Sequence, residues 1–296
     1  MNTSNQWETM NWTGMLRTMI FTLILAAGGM AIGACPSADL TGDCFVDFED
    51  FAIMAGQWLT GVPDIVWVSI NEPLPNPPPN FVGEMSKYET TNVQYCQYLN
   101  AANAAGLITV YTDNMVYATS DTSHTQPYFS TEAASSNSQI TYSGSTFSVR
   151  SRDGYSMANH PVVMVSWYGA TAFCNYYGYR LPTEWEWQAV ADFNGSYIYG
   201  CGESIDPSKA NYGTNNPLGL TDYPYTSPVG YYPAYGYGMC DMAGNVWEWT
   251  STVNGSDRVI RSGSWSSIDR SHCSVSYRIN ITPEAMYGEL CFRACR

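Results

Sequence analysis

Apolar and polar residues alternate in short runs along most of the chain beyond residue 64, and these runs predict short strands. Residues 66–70 and 81–88 are predicted strands, with a proline-rich loop at residues 73–79 between them. Residues 119–151 are rich in serine and threonine, which predicts a long excursion over the surface. No internal repeat is visible in this part of the sequence. The pattern therefore predicts one loop-rich domain of mixed short elements.

Three short helices are predicted by apolar residues at helical spacing behind a capping residue. Two of them begin with a capping box, in which a threonine and the side chain three residues later each accept a backbone N–H. The middle helix ends at a glycine that suits a left-handed cap. The predicted limits are Thr91 and Gly106, Ser166 and Gly178, and Thr183 and Ala191, and the capping-box partners are Gln94 and Glu186.

The composition excludes several classes of partner. The 296 residues contain 26 acidic and 12 basic side chains, so the net charge is −14. Nucleic acids and anionic membrane surfaces bind through basic residues, and we therefore expect neither as a partner. Apolar residues make up 45% of the chain, enough for a sizeable core, and 25 glycines with 16 prolines favour loops over long helices. Nine cysteines in so weakly charged a chain point to an oxidising compartment.

The N-terminal segment predicts export. Residues 19–34 are an apolar run that follows Arg17 and ends in small residues, as in a secretory signal. We therefore predict that residues 1–34 are a signal peptide, with Met15 as the favoured start of translation. The mature chain would then lie in the periplasm, on the cell surface or in the medium. An uncleaved membrane anchor and a lipid on Cys35 stay open as alternatives, and they are the only routes to a membrane that we expect.

A calcium-loop pattern follows the predicted signal peptide. Oxygen ligands occur at EF-hand offsets within residues 39–50, and an apolar run at residues 51–59 stands where the exit helix would be. Residues 35–61 resemble one half of a dockerin repeat, although Cys44 replaces the glycine of the sharp turn. An acidic linker is the open alternative. The predicted calcium ligands are Asp39, Thr41, Asp43, the carbonyl of Phe45, Asp47 and Asp50.

Several sequence motifs beyond this segment occur in an order that identifies a family. The motifs are GEMSKYETTNVQYCQYLNAA, NHPVVMVSWYGATAFCNYYGYRLPTEWEW, YGYGMCDMAGNVWEWT, RVIRSGSWSS and CFRACR. They resemble the formylglycine-generating enzyme, or sulfatase-modifying factor, family over roughly residues 66–296. The resemblance implies an α+β fold, the loop-rich variant of the C-type lectin fold with few short helices and strands. We assign residues 62–296 to this domain.

The motif DMAGNVWEW offers a ring of hard oxygen ligands. Asp241 and Glu248 stand seven residues apart, and the carbonyls of Gly244 and Val246 lie between them. The resemblance implies a calcium ion at these four residues; the alternative is that the two acids cap turns. It also implies a second calcium site formed by Asn211, the carbonyl of Tyr212 and Asp222.

The copper site of the family is incomplete in this sequence. The family oxidises a substrate cysteine to formylglycine, using copper held by two cysteines after a Gly-Ser pair. Cys273 matches the second of these cysteines, whereas residues 266–268 contain none at the position of the first. Because Cu(I) prefers thiolate ligands, the loss disfavours oxidase activity. His272 is no substitute if this segment is a strand, since neighbouring strand residues point to opposite sides.

The remaining cysteines have an expected structural role. The resemblance implies a disulfide between Cys174 and Cys295. The pairing of the others stays open; they are Cys96, Cys201, Cys240 and Cys291.

Two functions follow from these observations. The favoured one is a calcium-stabilised, non-catalytic binding module that holds a protein, including a sulfatase, or a carbohydrate. The second is a copper-dependent formylglycine-generating oxidoreductase in which Cys273 is the surviving catalytic residue. The variable C-terminal surface of the family would bind the ligand, and aromatic side chains provide contact area at low entropy cost. The expected contact residues are Trp265, His272, Tyr277 and Tyr287.

Overall fold

The computed structural model describes Val46, residues 62–70 and residues 81–296. Contacts within the chain divide it into two units, with the boundary between Leu59 and Thr60. Residues 62–70 and 81–296 belong to the second unit. The predicted signal peptide, the dockerin-like calcium loop and the proline-rich loop lie outside the described residues. They therefore stay predictions.

All three predicted helices are present. Helix α1 spans Asn92–Ala104, α2 spans Trp167–Tyr177 and α3 spans Glu184–Ala191. Both predicted capping boxes form, at Thr91 before α1 and at Thr183 before α3. These helix ends were predictable because capping depends on side chains within one turn of the end.

Thirteen strands, most of them short, make up the sheets and strand pairs of the described residues. The strands are β1 (Trp67–Ile70), β2 (Gly83–Ser86), β3 (Ile108–Val110), β4 (Met115–Ala118), β5 (Pro127–Ser130), β6 (Ile140–Ser143), β7 (Thr146–Val149), β8 (Ser151–Arg152), β9 (Tyr155–Ser156), β10 (Trp247–Asn254), β11 (Asp257–Arg261), β12 (Ile279–Ile281) and β13 (Leu290–Phe292). The central sheet has the order β12-β11-β10-β13, with β10 and β13 parallel and the other pairs antiparallel. A second sheet has the order β3-β4-β5, and β1-β2, β6-β7 and β8-β9 form antiparallel pairs.

The predicted surface excursion over residues 119–151 is wrong. This segment contains β5, β6 and β7, and it buries Phe129, Ile140 and Phe147. Serine and threonine are common on the solvent side of a strand, so a high content of these residues does not by itself indicate a loop. The apolar residues that alternate with them were the signal for strands.

An aromatic core lies between α1, α2 and the central sheet. The ring of Phe173 on α2 lies 5.8 Å from that of Tyr95 on α1 and 5.3 Å from that of Phe292 on β13. Trp249 on β10 is fully buried and donates from Nε1 to the carbonyl of Val165 at 3.1 Å. These contacts fix the loops that leave β10 and β11, where the predicted site residues lie. Among the described helices, none has the length and apolar character needed to cross a membrane.

Candidate ligand face and metal sites

The loop after β11 turns sharply over Cys273. Gly263 has a φ of +72°, and a Cβ there would lie 2.6 Å from the Sγ atom of Cys273. A side chain at residue 263 would therefore be both strained and too close to the sulfur. The glycine lets the backbone pass directly over the thiol.

Serine hydroxyls occupy the positions where the first copper ligand of the family was expected. Ser266 donates from Oγ to the Glu289 carboxylate, and its Oγ lies 3.0 Å from that of Ser264. Ser267 Oγ accepts the backbone N–H of Ser264 at 3.0 Å. Hard hydroxyl and carboxylate oxygens suit Cu(I) poorly. This part of the site therefore does not fit a two-thiolate copper centre.

Cys273 ends a short 3₁₀ helix, Arg270–Cys273, so the strand assumed for this segment is wrong. The N-terminal cap is Asp269, whose carboxylate accepts the backbone N–H of Ser271 at 2.9 Å. Cys273 is fully buried, and burial raises the pKa of its thiol to about 12. The group is therefore a protonated thiol at neutral pH, which makes it a weak nucleophile.

Trp265 is not a contact residue, contrary to expectation. It is only 6% exposed, because its ring stacks on that of Tyr223 at 5.2 Å and its Nε1 donates to the carbonyl of Gly288 at 3.2 Å. Tyr223 is 57% exposed and takes the place that was expected for Trp265. The tryptophan thus supports an exposed tyrosine platform.

The other three expected contact residues are at least partly exposed. Tyr287 is 54% exposed. His272 and Tyr277 are half-buried, and their rings lie 4.6 Å apart. Tyr277 also packs near Trp247, with the ring centres 6.1 Å apart, so its ring is tied to the core.

A cleft of about 320 Å³ opens beside the Tyr223 platform. Arg152 is held there by the carbonyls of Asp222 and Pro224, and Arg150 by an ion pair with Glu132 at 3.3 Å. Guanidinium groups next to an exposed aromatic ring can bind polar or acidic groups of a ligand. The lining residues are Ser136, Asn137, Arg150, Arg152, Asp222 and Tyr223.

The residues predicted for the second calcium site have different surroundings. Asp222 is exposed at the cleft, whereas Asn211 is fully buried. Asn211 donates from Nδ2 to the carbonyl of Tyr225 at 2.8 Å, and its buried Oδ1 has no protein partner. Tyr212 packs its half-buried ring on the apolar cluster around Cys273. The free Oδ1 of Asn211 suits a cation, and the second calcium site stays a prediction.

Glu248 is committed to an ion pair inside the core. Its two carboxylate oxygens accept from Nε and Nη2 of Arg293 at 2.6 and 2.7 Å, and Oε2 also accepts from Trp187 Nε1 at 2.8 Å. Both charged groups are fully buried. Both oxygens of Glu248 are thus engaged by Arg293, and its part in the predicted calcium site stays a prediction.

The other three oxygen donors of that predicted site suit calcium in kind. Asp241 accepts the backbone N–H of Gly230 through Oδ2 at 2.7 Å, and the carbonyl of Gly244 accepts from Ser262 Oγ at 3.1 Å. The third donor is the carbonyl of Val246. In the described part of the chain, no group of three His, Cys, Asp or Glu side chains is arranged to hold a metal ion. Calcium binding at this turn stays a prediction.

Three buried carboxyl groups lie around the turn that contains Gly244. Glu89 is fully buried, and its pKa is raised well above the usual range by burial and by the charges of Asp241 and Glu248. Only one of its oxygens has a partner, Nδ2 of Asn245 at 2.8 Å. Burial likewise raises the pKa of Asp241. Three buried carboxylates thus face Arg293, which compensates one negative charge.

The predicted disulfide partners are present as separate thiols. Cys174 and Cys295 are both fully buried and unbonded. Burial raises the pKa of Cys174, and the neighbouring Cys295 raises it further, so the two thiols are close. The backbone of Cys295 pairs with Arg180 through two hydrogen bonds of 2.8 and 2.9 Å. Their bonding stays a prediction.

Two parts of the ligand face, which is the surface around Tyr223 and the adjoining cleft, were not predicted from the sequence. Tyr223 lies about 70 residues from Arg152 in β8 and from Arg150 just before it, so only tertiary structure brings the tyrosine to the two arginines. Glu289 lies beside the serines because β13 pairs with β10, which no local pattern indicates. The aromatic pair Tyr223 and Tyr225, close to Pro224, was the one signal that could have suggested a platform.

Comparisons with known proteins agree with this geometry. A model of the sulfatase-modifying factor enzyme 1-like domain matches residues 79–296. The structure of CarF superposes with a TM-score of 0.52 at 19% identity, covering 79% of this chain and 98% of CarF. This likeness concerns the fold alone. Together the two findings confirm the predicted fold class, the loop-rich α+β variant of the C-type lectin fold.

Three curated proteins illustrate the range of relatives. The chain is 38% identical over 162 residues to the serine/threonine-protein kinase pkn1 of Chlamydia caviae, covering 47% of this chain and 24% of that protein. It is 41% identical over 113 residues to the formylglycine-generating enzyme of Mycobacterium tuberculosis, covering 35% and 37%. It is 37% identical over 150 residues to the inactive C-alpha-formylglycine-generating enzyme 2 of Bos taurus, covering 45% and 49%. The matches thus span about a quarter of the first relative and less than half of the other two.

Proposed function

Since this chain belongs to the sulfatase-modifying factor enzyme 1-like family, we propose that it is a non-catalytic member that binds a ligand through the face around Tyr223. The observation that carries this proposal is the pair of hydroxyls at Ser266 and Ser267, where the first copper thiolate was expected. Each is engaged with another oxygen or a backbone N–H. The chain is similar both to a relative named as a formylglycine-generating enzyme and to one named as inactive. The proposal therefore rests on the residues of the site.

The cleft supports ligand binding. Its volume of about 320 Å³ is at the lower end of ligand pockets, which are roughly 300–1,000 Å³. Tyr223 offers a ring that Trp265 holds in place by stacking, so little side-chain freedom is lost on binding. Arg150 and Arg152 add hydrogen-bond donors on one wall. We favour a protein ligand, such as a sulfatase, with a carbohydrate as the alternative.

Export and the dockerin-like calcium loop are part of the same proposal. They are supported by the apolar run at residues 19–34 and by the acidic ligand spacing within residues 39–50. An exported binding domain with an added calcium loop would act outside the cytoplasm, in agreement with the cysteine content.

A peptide carrying the sulfatase cysteine motif tests the proposal. The purified chain is incubated with the fluorescent peptide, copper and oxygen, and both fluorescence anisotropy and peptide mass are followed. We expect binding without any change in peptide mass. Tyr223→Ala should weaken binding about tenfold, as loss of an aromatic anchor does. Tyr111→Ala is the matched control, because Tyr111 is 46% exposed and outside the cleft.

The retained Cys273 favours oxidase activity as the second candidate. Conversion of the peptide thiol to an aldehyde, abolished by Cys273→Ser, would establish that activity and overturn the non-catalytic proposal. Absence of both conversion and binding would instead exclude a sulfatase as the partner.

A further inference from the structure

Cys201 and Cys273 come from distant parts of the chain and meet in one small cluster. Cys201 lies in a tight turn in which Tyr199 and Gly202 exchange two backbone hydrogen bonds of 2.9 Å. Tyr199 also forms an antiparallel bridge with Ser274, the residue after Cys273. In that register Gly200 stands opposite Cys273, and Cys201 is the next residue along.

Two glycines bring the segments unusually close. A Cβ at Gly200 would lie 2.2 Å from the carbonyl oxygen of Met242, so the turn is pressed against the loop before β10. Gly263 lies directly against the sulfur of Cys273, since a Cβ there would be 2.6 Å from Sγ. The Cys201 turn therefore has little freedom to move away from Cys273.

Both thiols are buried in the same apolar surroundings. Cys201 is 4% exposed and Cys273 fully buried, and they share a cluster with Ile205, Ala210 and Ala243. Charge on Cys201 adds to burial in raising the pKa of Cys273, as expected for sulfurs that lie near each other. Residues directly opposite across an antiparallel pair have Cα atoms about 4.5–5.5 Å apart, and Cys201 lies one residue past the position opposite Cys273. A disulfide needs Cα atoms about 4.4–6.8 Å apart.

We propose that Cys201 and Cys273 are a redox pair that closes to a disulfide in an oxidising compartment. A low-molecular-weight disulfide such as glutathione disulfide is the oxidant. One cysteine attacks it as the thiolate and releases one glutathione, and the second cysteine then displaces the other. One S–S bond breaks and one forms, and the two thiol protons end on the two glutathione molecules. This pairing does not depend on ligand binding, but it would block Cys273 as a metal ligand.

The reaction in the folded protein should be slow at neutral pH. Burial raises the pKa of Cys201 to about 11 and that of Cys273 to about 12, so the thiolate is scarce. Exchange also needs access of the oxidant to the sulfur, and both sulfurs are buried. We expect the disulfide to form within hours at pH 9 and much more slowly at pH 7.

Peptide mapping tests the pair directly. The full chain is treated with glutathione disulfide at pH 9, quenched in acid, alkylated in denaturant and digested without reduction. We expect one linked peptide that contains Cys201 and Cys273 and disappears on reduction. Cys201→Ser should leave Cys273 open to alkylation, whereas Cys96→Ser, which changes a buried thiol elsewhere, should keep the link. The oxidised chain should also melt several degrees higher than the reduced chain.

Two results would overturn the pair. One is alkylation of both cysteines in the treated wild-type chain. This result does not depend on the folding of any variant. The other is a link from either cysteine to a third one. Neither result depends on peptide binding, so this test and that of the proposed function fail separately.

Discussion

Arg293 is the residue whose loss should cost the most stability. It pairs with Glu248 through two hydrogen bonds and also donates to the carbonyls of Ser86, Lys87 and Cys240. Burial alone would lower the pKa of Arg293, but the Glu248 carboxylate raises it, so the guanidinium stays charged. Replacing one partner of such a pair leaves the other charge buried and unpaired.

Arg293→Met should therefore lower the free energy of unfolding by about 3–5 kcal/mol, measured by urea denaturation. The matched control is Arg296→Met, because Arg296 forms a partly exposed ion pair with Glu84 at 2.6 Å. Its effect should be much smaller, since water stabilises both charges when the pair is lost. Equal losses in the two variants would contradict the assigned role of Arg293.

His160 should make stability fall in mild acid. It is 1% exposed, its Nδ1 lies 2.9 Å from Thr226 Oγ1, and its buried Nε2 has no protein partner. Burial lowers the pKa of His160 to about 4, and Arg152 acts in the same direction. The unfolded chain, with a histidine pKa of about 6.5, then binds a proton that the folded chain does not. The stabilising contribution is complete above pH 6.5 and is lost as the pH falls towards 4.

The expected loss is about 3 kcal/mol between pH 6.5 and 4. Carboxyl groups also titrate in this range, so the informative quantity is the difference between wild type and His160→Gln. The variant should show a flatter decrease in unfolding free energy. Parallel curves for the two proteins would show that His160 is not the group responsible.

At the scale of elements, the packing of α2 on β5 requires a glycine at residue 169, where there is no room for a side chain. A Cβ at Gly169 would lie 2.0 Å from the carbonyl oxygen of Tyr128 and 2.7 Å from the hydroxyl of Tyr95. Because the first of these is backbone, it cannot rotate away. Gly169→Ala should therefore lower the free energy of unfolding by at least about 2 kcal/mol. Alanine is the better helix former, so propensity alone would give the opposite sign.

Thr171→Ala on the same helix is the control. The Oγ1 atom of Thr171 is buried without a protein partner, so losing it should change stability little or raise it slightly. Thermal unfolding of the two variants separates close approach from helix propensity. If Gly169→Ala is as stable as the control, α2 does not lie as close to β5 as described.

At the scale of the whole molecule, the sequence was most informative where the physical cause is local. Thr91, Ser166 and Thr183 fix the starts of the helices within one turn, and these were predicted correctly. The ligand face was harder, because the burial of Trp265 depends on Tyr223, which is distant in sequence. The ion pair of Glu248 with Arg293 likewise joins β10 to the residue that follows β13, the strand that pairs with β10 in parallel.

The excess of acidic residues leads to the last prediction. Glu89, Asp241 and Glu248 place three carboxyl groups near one Arg293, and burial together with mutual repulsion raises the pKa of Glu89 and of Asp241. A cation near Asp241 would favour the ionised forms. At a hundredfold excess over its Kd, calcium should raise the Tm by roughly 5–10 °C relative to chelator. Asp241→Asn should keep the fold but lose the part of this response that comes from this turn. Asp257→Asn, in no predicted site, should retain the full response, and Asp43→Asn reports the N-terminal calcium loop alone. A wild-type Tm that ignores calcium would exclude every predicted calcium site, and an unchanged response in Asp241→Asn would exclude this one.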